Sequence, residues 1–354
     1  MPVSTDAPGG PRTIFLVPDI HDLQTGGNVY NRQMIEGLPP ASEVRVCAWT
    51  PSETSAAALG LSEGDVIVVD SLLAERRGAL RALRTEYPAA TLVVLVHYLD
   101  CVDPYTEDPD VAAEGRAMLS VADAAIATSQ YVRRALIDKG LAAEQVMVVR
   151  PGLHARYRGA LPLRLGRRPP RLLTVANLLP TKGLRPFVDV LARLRDLPWT
   201  WHLVGDLSLD PEYAANVYRR LRATGLTHRT TWTGVVAPDV LRTWYDRADL
   251  FVLPSRFETC SLSTREAMAC GLPVVGYRVG GMPENVGDSA AGALVPPHNP
   301  RALRDALRAL LKDPLARRER GRAAWRQSRA FPTWAAAAEQ FRDALTALHD
   351  RTLE

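Results

Sequence analysis

Residues 250–275 read LFVLPSRFETCSLSTREAMACGLPVV. Leu250 to Leu253 form a continuous apolar run that predicts a buried strand. Ser263-Thr264-Arg265-Glu266 has the S-x-x-E spacing of a capping box, which predicts a helix with Ser263 as N-cap and Glu266 in its first turn. That helix should end near Cys270, with Gly271 and then Pro273 as stop signals, and Val274–Tyr277 reads as the next strand. Strand, turn, helix and strand in so short a span is the unit of a parallel α/β sheet. The turn carries Glu258, eight positions before Glu266. The capping box gives Glu266 a structural use but leaves Glu258 in the strand-to-helix turn, where α/β proteins place ligand-binding groups.

The same alternation extends in both directions. Toward the N-terminus, strands are expected at Thr13–Val17, Glu43–Ala48, Asp65–Asp70, Thr91–His97, Asp123–Thr128 and Gln145–Arg150. Amphipathic segments such as Leu72–Tyr87 and Tyr131–Lys139 lie between them. Unbroken runs such as Val66-Ile67-Val68-Val69 suit parallel strands covered on both faces. The stretch Arg156–Arg171, rich in Arg, Pro and Gly, reads as an interdomain linker. A second series follows, with strands at Leu172–Ala176, Thr200–Val204, Thr230–Thr233, Leu250–Leu253 and Val274–Tyr277. Its helices are expected at Gly183–Arg195, Pro211–Ala223, Pro238–Asp246 and Thr264–Cys270, and the chain from Pro300 is helical in pattern. The fold class is therefore α/β: two tandem Rossmann-like domains, whose strand C-terminal ends should face one cleft.

Composition narrows the function. A length of 354 residues suits about two domains, and 47% apolar with 23% charged residues is ordinary for a globular protein. A net charge of +4 gives no reason to expect a nucleic-acid partner. No apolar run is long enough for a membrane helix, and the first residues lack a signal peptide's basic and apolar regions. Cys47, Cys101, Cys260 and Cys270 form no C-x-x-C pair, which fits a reducing cytoplasm and neither a disulfide nor a zinc framework.

The loops after strands supply the candidate chemistry. Gly26 and Gly27 precede a helix expected near Asn28, where backbone can approach an anion; His21 in the same loop reads as a surface histidine. No G-x-G-x-x-G fingerprint is present, which speaks against a dehydrogenase. His97 ends a buried strand. The stretch after it holds Asp100, Asp103, Glu107, Asp108, Asp110 and Glu114, with no Lys or Arg between Arg84 and Arg116; Asp108-Pro109-Asp110 also reads as a helix start. In VANLLPTKGL (175–184), Lys182 beside a helix start is a phosphate site, because ammonium and amide N–H groups converge. Gly205 ends another strand and permits close ligand approach. Val236, in TGVV, could offer backbone groups to a flat base. Ser261, Leu262 and Ser263 expose N–H groups at the start of the helix carrying Glu266. Acids around hydroxyl donors, with a cation and helix N-termini nearby, suit a base, a ribose, a diphosphate and a hexose: a nucleotide sugar.

PSRFETCSLSTREAMACGLPVVGYRVGGMPENV, TVANLLPTKG, TGGN, ATSQYVRRAL and VRPGLHARY together resemble the family 4 retaining glycosyltransferases (glycosyl transferases group 1) of GT-B fold, best over Leu172–Pro297. The resemblance implies an acceptor-side domain over residues 1–160, with a C-terminal helix over 334–354 packing back on it, and a nucleotide-sugar domain over 161–333. It implies His97, Glu258 and Lys182 as catalytic residues: His97 contacts the sugar, Glu258 orients it, and Lys182 neutralises the diphosphate. Gly26 and Gly27 would meet the phosphates and Glu266 the donor ribose, with Asn177, Gly205, Val236, Ser261, Leu262 and Ser263 completing the donor site. The sequence departs from the family pattern at Asn177, where an Arg is usual, and at Ser261, where a Gly is usual. Arg185, Arg256 and Arg265 are the cations available in place of the first.

The expected reaction is transfer of a sugar, with retention, from a UDP- or GDP-linked donor to a small-molecule acceptor of secondary-metabolite type, with no metal and no further cofactor. The acid-rich loop after His97 suits an acceptor carrying an amine. A lipid acceptor is the main alternative: Arg77, Arg81 and Arg84 share a helix face that could meet anionic headgroups, though a solvated face is the better reading and membrane contact is not favoured. A sugar-nucleotide epimerase, or a donor-binding protein that has lost catalysis, are the alternatives in other classes.

Overall fold

The structure is a computed structural model that describes residues 12–18, 25–38, 44–48, 61–106, 108–161, 169–287 and 290–353. The chain divides into two compact units, one made of Met1–Gly152 with Trp334–Glu354, the other of Leu153–Thr333.

In the first unit the described strands are β1 (Thr13–Val17), β2 (Val44–Ala48), β3 (Val66–Asp70), β4 (Thr91–Val96), β5 (Ala124–Ala127) and β6 (Val146–Val148). They form a six-stranded sheet in the order β2-β1-β3-β4-β5-β6, and every neighbouring pair is parallel. β1, β3 and β4 are buried along their whole length, as continuous apolar runs in a doubly covered sheet should be. The covering helices are α1 (Gly26–Gly37), α2 (Arg77–Glu86), α3 (Pro109–Leu119) and α4 (Gln130–Asp138). Asp108 caps α3 through Oδ1, so the Asp-Pro-Asp helix start is real.

The second unit repeats the plan. β7 (Arg171–Val175), β8 (Thr200–Val204), β9 (Thr230–Trp232), β10 (Leu250–Leu253), β11 (Val274–Tyr277) and β12 (Gly292–Val295) lie in the order β12-β11-β10-β7-β8-β9, again all parallel. Helices α5 (Leu184–Ala192), α6 (Pro211–Ala223), α7 (Pro238–Arg247), α8 (Leu262–Ala269), α9 (Met282–Val286), α10 (Pro300–Lys312) and α11 (Pro314–Ser328) complete it. Trp199, Trp201 and Phe187 anchor its core, the last two edge to face. β12 and α9 have no counterpart among the elements expected from sequence. β12 is short and half-buried, so it carries no apolar run.

The last helix, α12 (Trp334–Leu353), belongs to the first unit. It lies against α1 so closely that a Cβ on Gly37 would run into Ala338. Phe341 stacks on Phe15 at 5.9 Å and meets Tyr30 edge-on, and His349 Nδ1 bonds the Thr91 hydroxyl at 2.8 Å.

Two boundaries differ from expectation. The units part at Gly152, not at residue 160, because Leu153 donates to the Pro332 carbonyl and pairs with Thr333. The first part of the expected linker is also structured: Ala155–Tyr157 form a 3-10 turn, and Tyr157 is buried edge-on to Tyr245 at 5.7 Å. Residues 162–168 of that stretch lie outside the described residues. Arg84 does not share an open face with its neighbours. It folds back to bond the carbonyls of Val121 and Ala90 and to pair with Asp123.

Candidate functional site

Strand order tells where each sheet leaves a crevice. In the second unit the chain runs outward from β7 to β8 and β9, then restarts on the other side with β10. The loops after β7 and β10 therefore diverge at a topological switch point, where open α/β sheets bind ligands. Lys182 follows β7 and Glu258 follows β10, and they meet there: Lys182 Nζ lies 2.8 Å from Glu258 Oε1. The ammonium is partly exposed and the carboxylate almost buried. Ser255 donates to the same Oε1 at 2.7 Å.

Backbone contacts hold these loops in place. Arg256 N donates to Thr181 O, and Gly281 N to Glu258 O, both at 2.8 Å. The Asn285 amide donates to the Cys260 carbonyl. Gly183 is left-handed (φ 64°), and a Cβ there would strike the Pro254 carbonyl; Gly280 (φ 51°) is pressed in the same way on the Glu258 carbonyl. Only glycine permits either approach.

Lys182 ends a 3-10 turn (Pro180–Lys182) beside the start of α5, which begins at Leu184 after left-handed Gly183. Several local expectations are corrected. There is no capping box at Ser263. The N-cap of α8 is Ser261, one of the non-glycine residues with positive φ (64°), and its hydroxyl pairs with Thr264 Oγ1 at 2.8 Å and does not cap. Leu262 and Ser263 are thus the first helical residues. The left-handed Ser261 explains why a glycine suits this position. Glu266 accepts from Tyr245 OH at 2.8 Å, a tertiary partner on α7 that a four-residue spacing cannot reveal. That hydroxyl also lies 3.3 Å from Ser263 O. Burial pushes the Glu266 carboxyl up to about 7, against the opposing pull of the Tyr245 hydrogen bond and the Arg156 charge.

The remaining donor-side residues fall into different positions. Asn177 Oδ1 accepts from Asp206 N at 3.0 Å, fastening the loop after β7 to the loop after β8. Gly205 (φ 157°) is half-buried and pressed on the chain's own backbone: a Cβ there would meet the Ala176 carbonyl. Val236 is half-buried after left-handed Gly234. Of the three cations available in place of an Arg at Asn177, Arg265 is buried with its guanidinium 4.3 Å over Phe331. Arg185 pairs with Asp189 at 2.7 Å. Arg256 is half-exposed and directly follows the Ser255 that holds Glu258.

In the first unit the chain switches sides between β1 and β3. Gly26 and Gly27 do not precede the helix as a loop; they are the first residues of α1, capped by Thr25 Oγ1, which accepts from Asn28 N at 3.1 Å. Gly27 faces the His97 ring, whose Cδ2 would lie 3.1 Å from an added Cβ. His97 Nε2 is 2.8 Å from Asn31 Oδ1, and Asn31 Nδ2 is 2.6 Å from Asp70 Oδ2. Burial lowers the His97 pKa, against the nearby Asp70 charge. Sequence reasoning misses Asn31 and Asp70, because both read as parts of ordinary elements. His21 and Glu107 lie outside the described residues. In the acid-rich loop, Tyr98 OH donates to Asp103 at 3.0 Å and lies 3.2 Å from Asp100, whose carboxyl burial pushes up. Among the described residues, no helix is long and apolar enough to cross a membrane, and no three His, Cys, Asp or Glu are grouped to hold a metal ion.

Known proteins resemble this chain in sequence and in fold. Residues 169–313 match the family model described as Glycosyl transferases group 1. A D-inositol 3-phosphate glycosyltransferase of Kineococcus radiotolerans is 33% identical over 63% of this chain and 56% of its own. One from Streptomyces bingchenggensis is 28% identical over 86% of this chain and 70% of its own. The first relatives matched are spanned over only 28%, 45% and 56% of their length. Among solved structures, Anabaena HepE in complex with UDP and glucose superposes with a TM-score of 0.78 over 95% of this chain and 99% of its own, at 20% identity. Residues 169–313 are thus similar in sequence to the group 1 glycosyl transferases, and nearly the whole chain has the GT-B fold.

Proposed function

We propose that the protein is a retaining glycosyltransferase that moves a sugar from a nucleotide diphosphate sugar to a small-molecule acceptor. The observation that carries this reading is the Lys182–Glu258 pair at the switch point of the second sheet, inside the segment that matches the family. Lys182 would stabilise the charge that develops on the departing diphosphate, and Glu258 would accept hydrogen bonds from the sugar. N–H groups at the start of α8 add donors, because the Ser261 side chain does not cap them. Glu266 would take the ribose and Arg256 would supply the second cation. In the first unit, His97 and Gly27 keep the roles the resemblance gives them, contact with the sugar and with the phosphates. A UDP-linked donor is favoured by the UDP found with the HepE neighbour. No metal or further cofactor enters this proposal. Because Cys47, Cys101, Cys260 and Cys270 form no C-x-x-C pair, the cytoplasm is the proposed compartment.

Two observations bear on the acceptor. The relatives' names point to an inositol phosphate. The acid-rich loop, with Asp100 and Asp103 gathered around Tyr98, favours an amine-bearing compound. A thermal-shift panel of nucleotide sugars, followed by mass spectrometry with inositol phosphates and amino compounds as acceptors, tests both. A stabilising donor and a product heavier by one sugar are expected. No shift with any nucleotide sugar would contradict the reading, and a product formed without acceptor would favour an epimerase.

A further inference from the structure

Asn31 and Asp70 are fully buried, and His97 is nearly so. Asp70 Oδ1 accepts from Leu72 N at 2.8 Å, and its Oδ2 faces Asn31 Nδ2 at 2.6 Å. A carboxylate can only accept, so the Asn31 amide must turn its NH2 group to Asp70 and its oxygen to His97. The amide oxygen in turn can only accept, so His97 Nε2, 2.8 Å away, must carry the proton. Asp70 Oδ2 itself is 3.8 Å from Nε2, too far for a direct hydrogen bond. The ring is also fixed in orientation. Tyr30 meets it edge-on at 5.1 Å and is anchored by its hydroxyl to the Val149 carbonyl at 3.0 Å. His97 N donates to Ser71 Oγ at 3.0 Å, and Gly27 sits against the ring. One residue each from α1, the end of β3 and the residue after β4 thus converge beside the first sheet's switch point.

We propose that Asp70 and Asn31 are positioning residues that lock His97 as the Nε2–H tautomer, so that Nδ1 accepts a hydrogen bond during sugar transfer. A neutral imidazole without such a chain distributes its proton over both nitrogens, and only one form presents an acceptor at Nδ1. The kinetic part of this proposal rests on the transferase reading; the tautomer part does not.

The test is Asp70→Asn in the full chain. The amide that this substitution introduces can donate where the Asp70 carboxylate only accepts, so Asn31 is no longer forced to turn its oxygen to the ring. In protein labelled with 15N-histidine, long-range 1H–15N spectra report the tautomer, and the His97 signals are assigned by their loss in His97→Gln. The expected result is an Nε2–H ring in the wild type and a mixed or Nδ1–H ring in Asp70→Asn. With it, kcat for transfer from UDP-glucose should fall about tenfold while KM stays within about twofold. Asn31→Ser, which cuts the chain at its middle, gives the same readings if Asp70→Asn does not fold. A wild-type Nδ1–H ring, an unchanged tautomer in the variants, or a changed tautomer with kcat within about twofold would each overturn the proposal. A wild type that transfers no sugar from any nucleotide sugar overturns the functional reading instead, and the spectra alone then decide the relay.

Discussion

Both sheets place polar groups beside their switch points, but the groups differ in kind. Beside the second sheet's switch point, a cation and a carboxylate meet, the ammonium partly exposed, with the uncapped start of α8 on the same chain segment. Beside the first, a carboxylate and an amide are sealed inside the unit and are hydrogen-bonded in series to the His97 ring. The packing follows the same division. Gly183 and Gly280 are pressed on backbone carbonyls, which an added Cβ would strike at 2.2 and 1.9 Å, whereas a Cβ on Gly27 would lie 3.1 Å from a side-chain ring. On the proposed reading, the second unit holds charge at a fixed point and the first orients the His97 ring. Effects on the diphosphate should therefore be large and concentrated in the second unit.

Lys182→Ala should break this comparison most severely. Removing a preorganised cation from a developing anion costs about 100- to 1,000-fold, so kcat/KM for UDP-glucose should fall by that order; a fall under about tenfold would refute the assignment. Glu258→Gln keeps the shape and removes the charge. It should lower the rate about 10- to 100-fold, the worth of a hydrogen bond to a charged group, and activity within about twofold of wild type would sink the role. Gly183→Ala forces both an unfavourable φ and a backbone collision, so denaturant unfolding should show a loss of about 2 kcal/mol or more; an unchanged midpoint would mean the loops after β7 and β10 are not tightly apposed.

Smaller effects sharpen the contrast. With the Glu266 carboxyl at about 7, its ionised fraction rises across neutral pH. Tyr245 already occupies one oxygen, so an ionised Glu266 is the better acceptor for a ribose hydroxyl. UDP-glucose has no proton to lose near neutrality, and its affinity should rise about fivefold from pH 6 to 8. The rise should vanish in Glu266→Gln; an identical slope in both would exclude Glu266 from the donor site. The linkage to folding has the opposite sign. The folded-state pKa is raised above the ordinary carboxyl value of 4.5, so Glu266 favours folding below that value and its contribution is lost as pH climbs toward 7. Gly27→Ala should be mildest. The ring must shift by a few tenths of an ångström, while alanine's helix preference offsets the cost. A stability change beyond about 1 kcal/mol would show the first unit to be as rigid as the second.

Much of the fold is readable because continuous apolar runs and stop signals are local. Val66–Asp70, Leu250–Leu253 and the Cys270-Gly271 helix end lie where their residue types require. Lys182 and Glu258 are each visible as loop residues after a strand, but their contact depends on strand order, which no local pattern encodes. The capping box fails for the same reason in reverse: the spacing is present, but Tyr245 from α7 takes the carboxylate. Gly205 is readable as a close approach, though not that the approaching group is the Ala176 carbonyl. Asn31 and Asp70 stand 39 residues apart, and neither is unusual where it stands; only the folded sheet brings both to His97.

A crystal structure of the protein with UDP tests the central claim most directly. Diphosphate oxygens are expected within hydrogen-bond distance of Lys182 Nζ and of the Leu262 and Ser263 N–H groups, with the ribose hydroxyls on Glu266. UDP bound anywhere else, or Lys182 still engaged only with Glu258 while UDP is present, would contradict it.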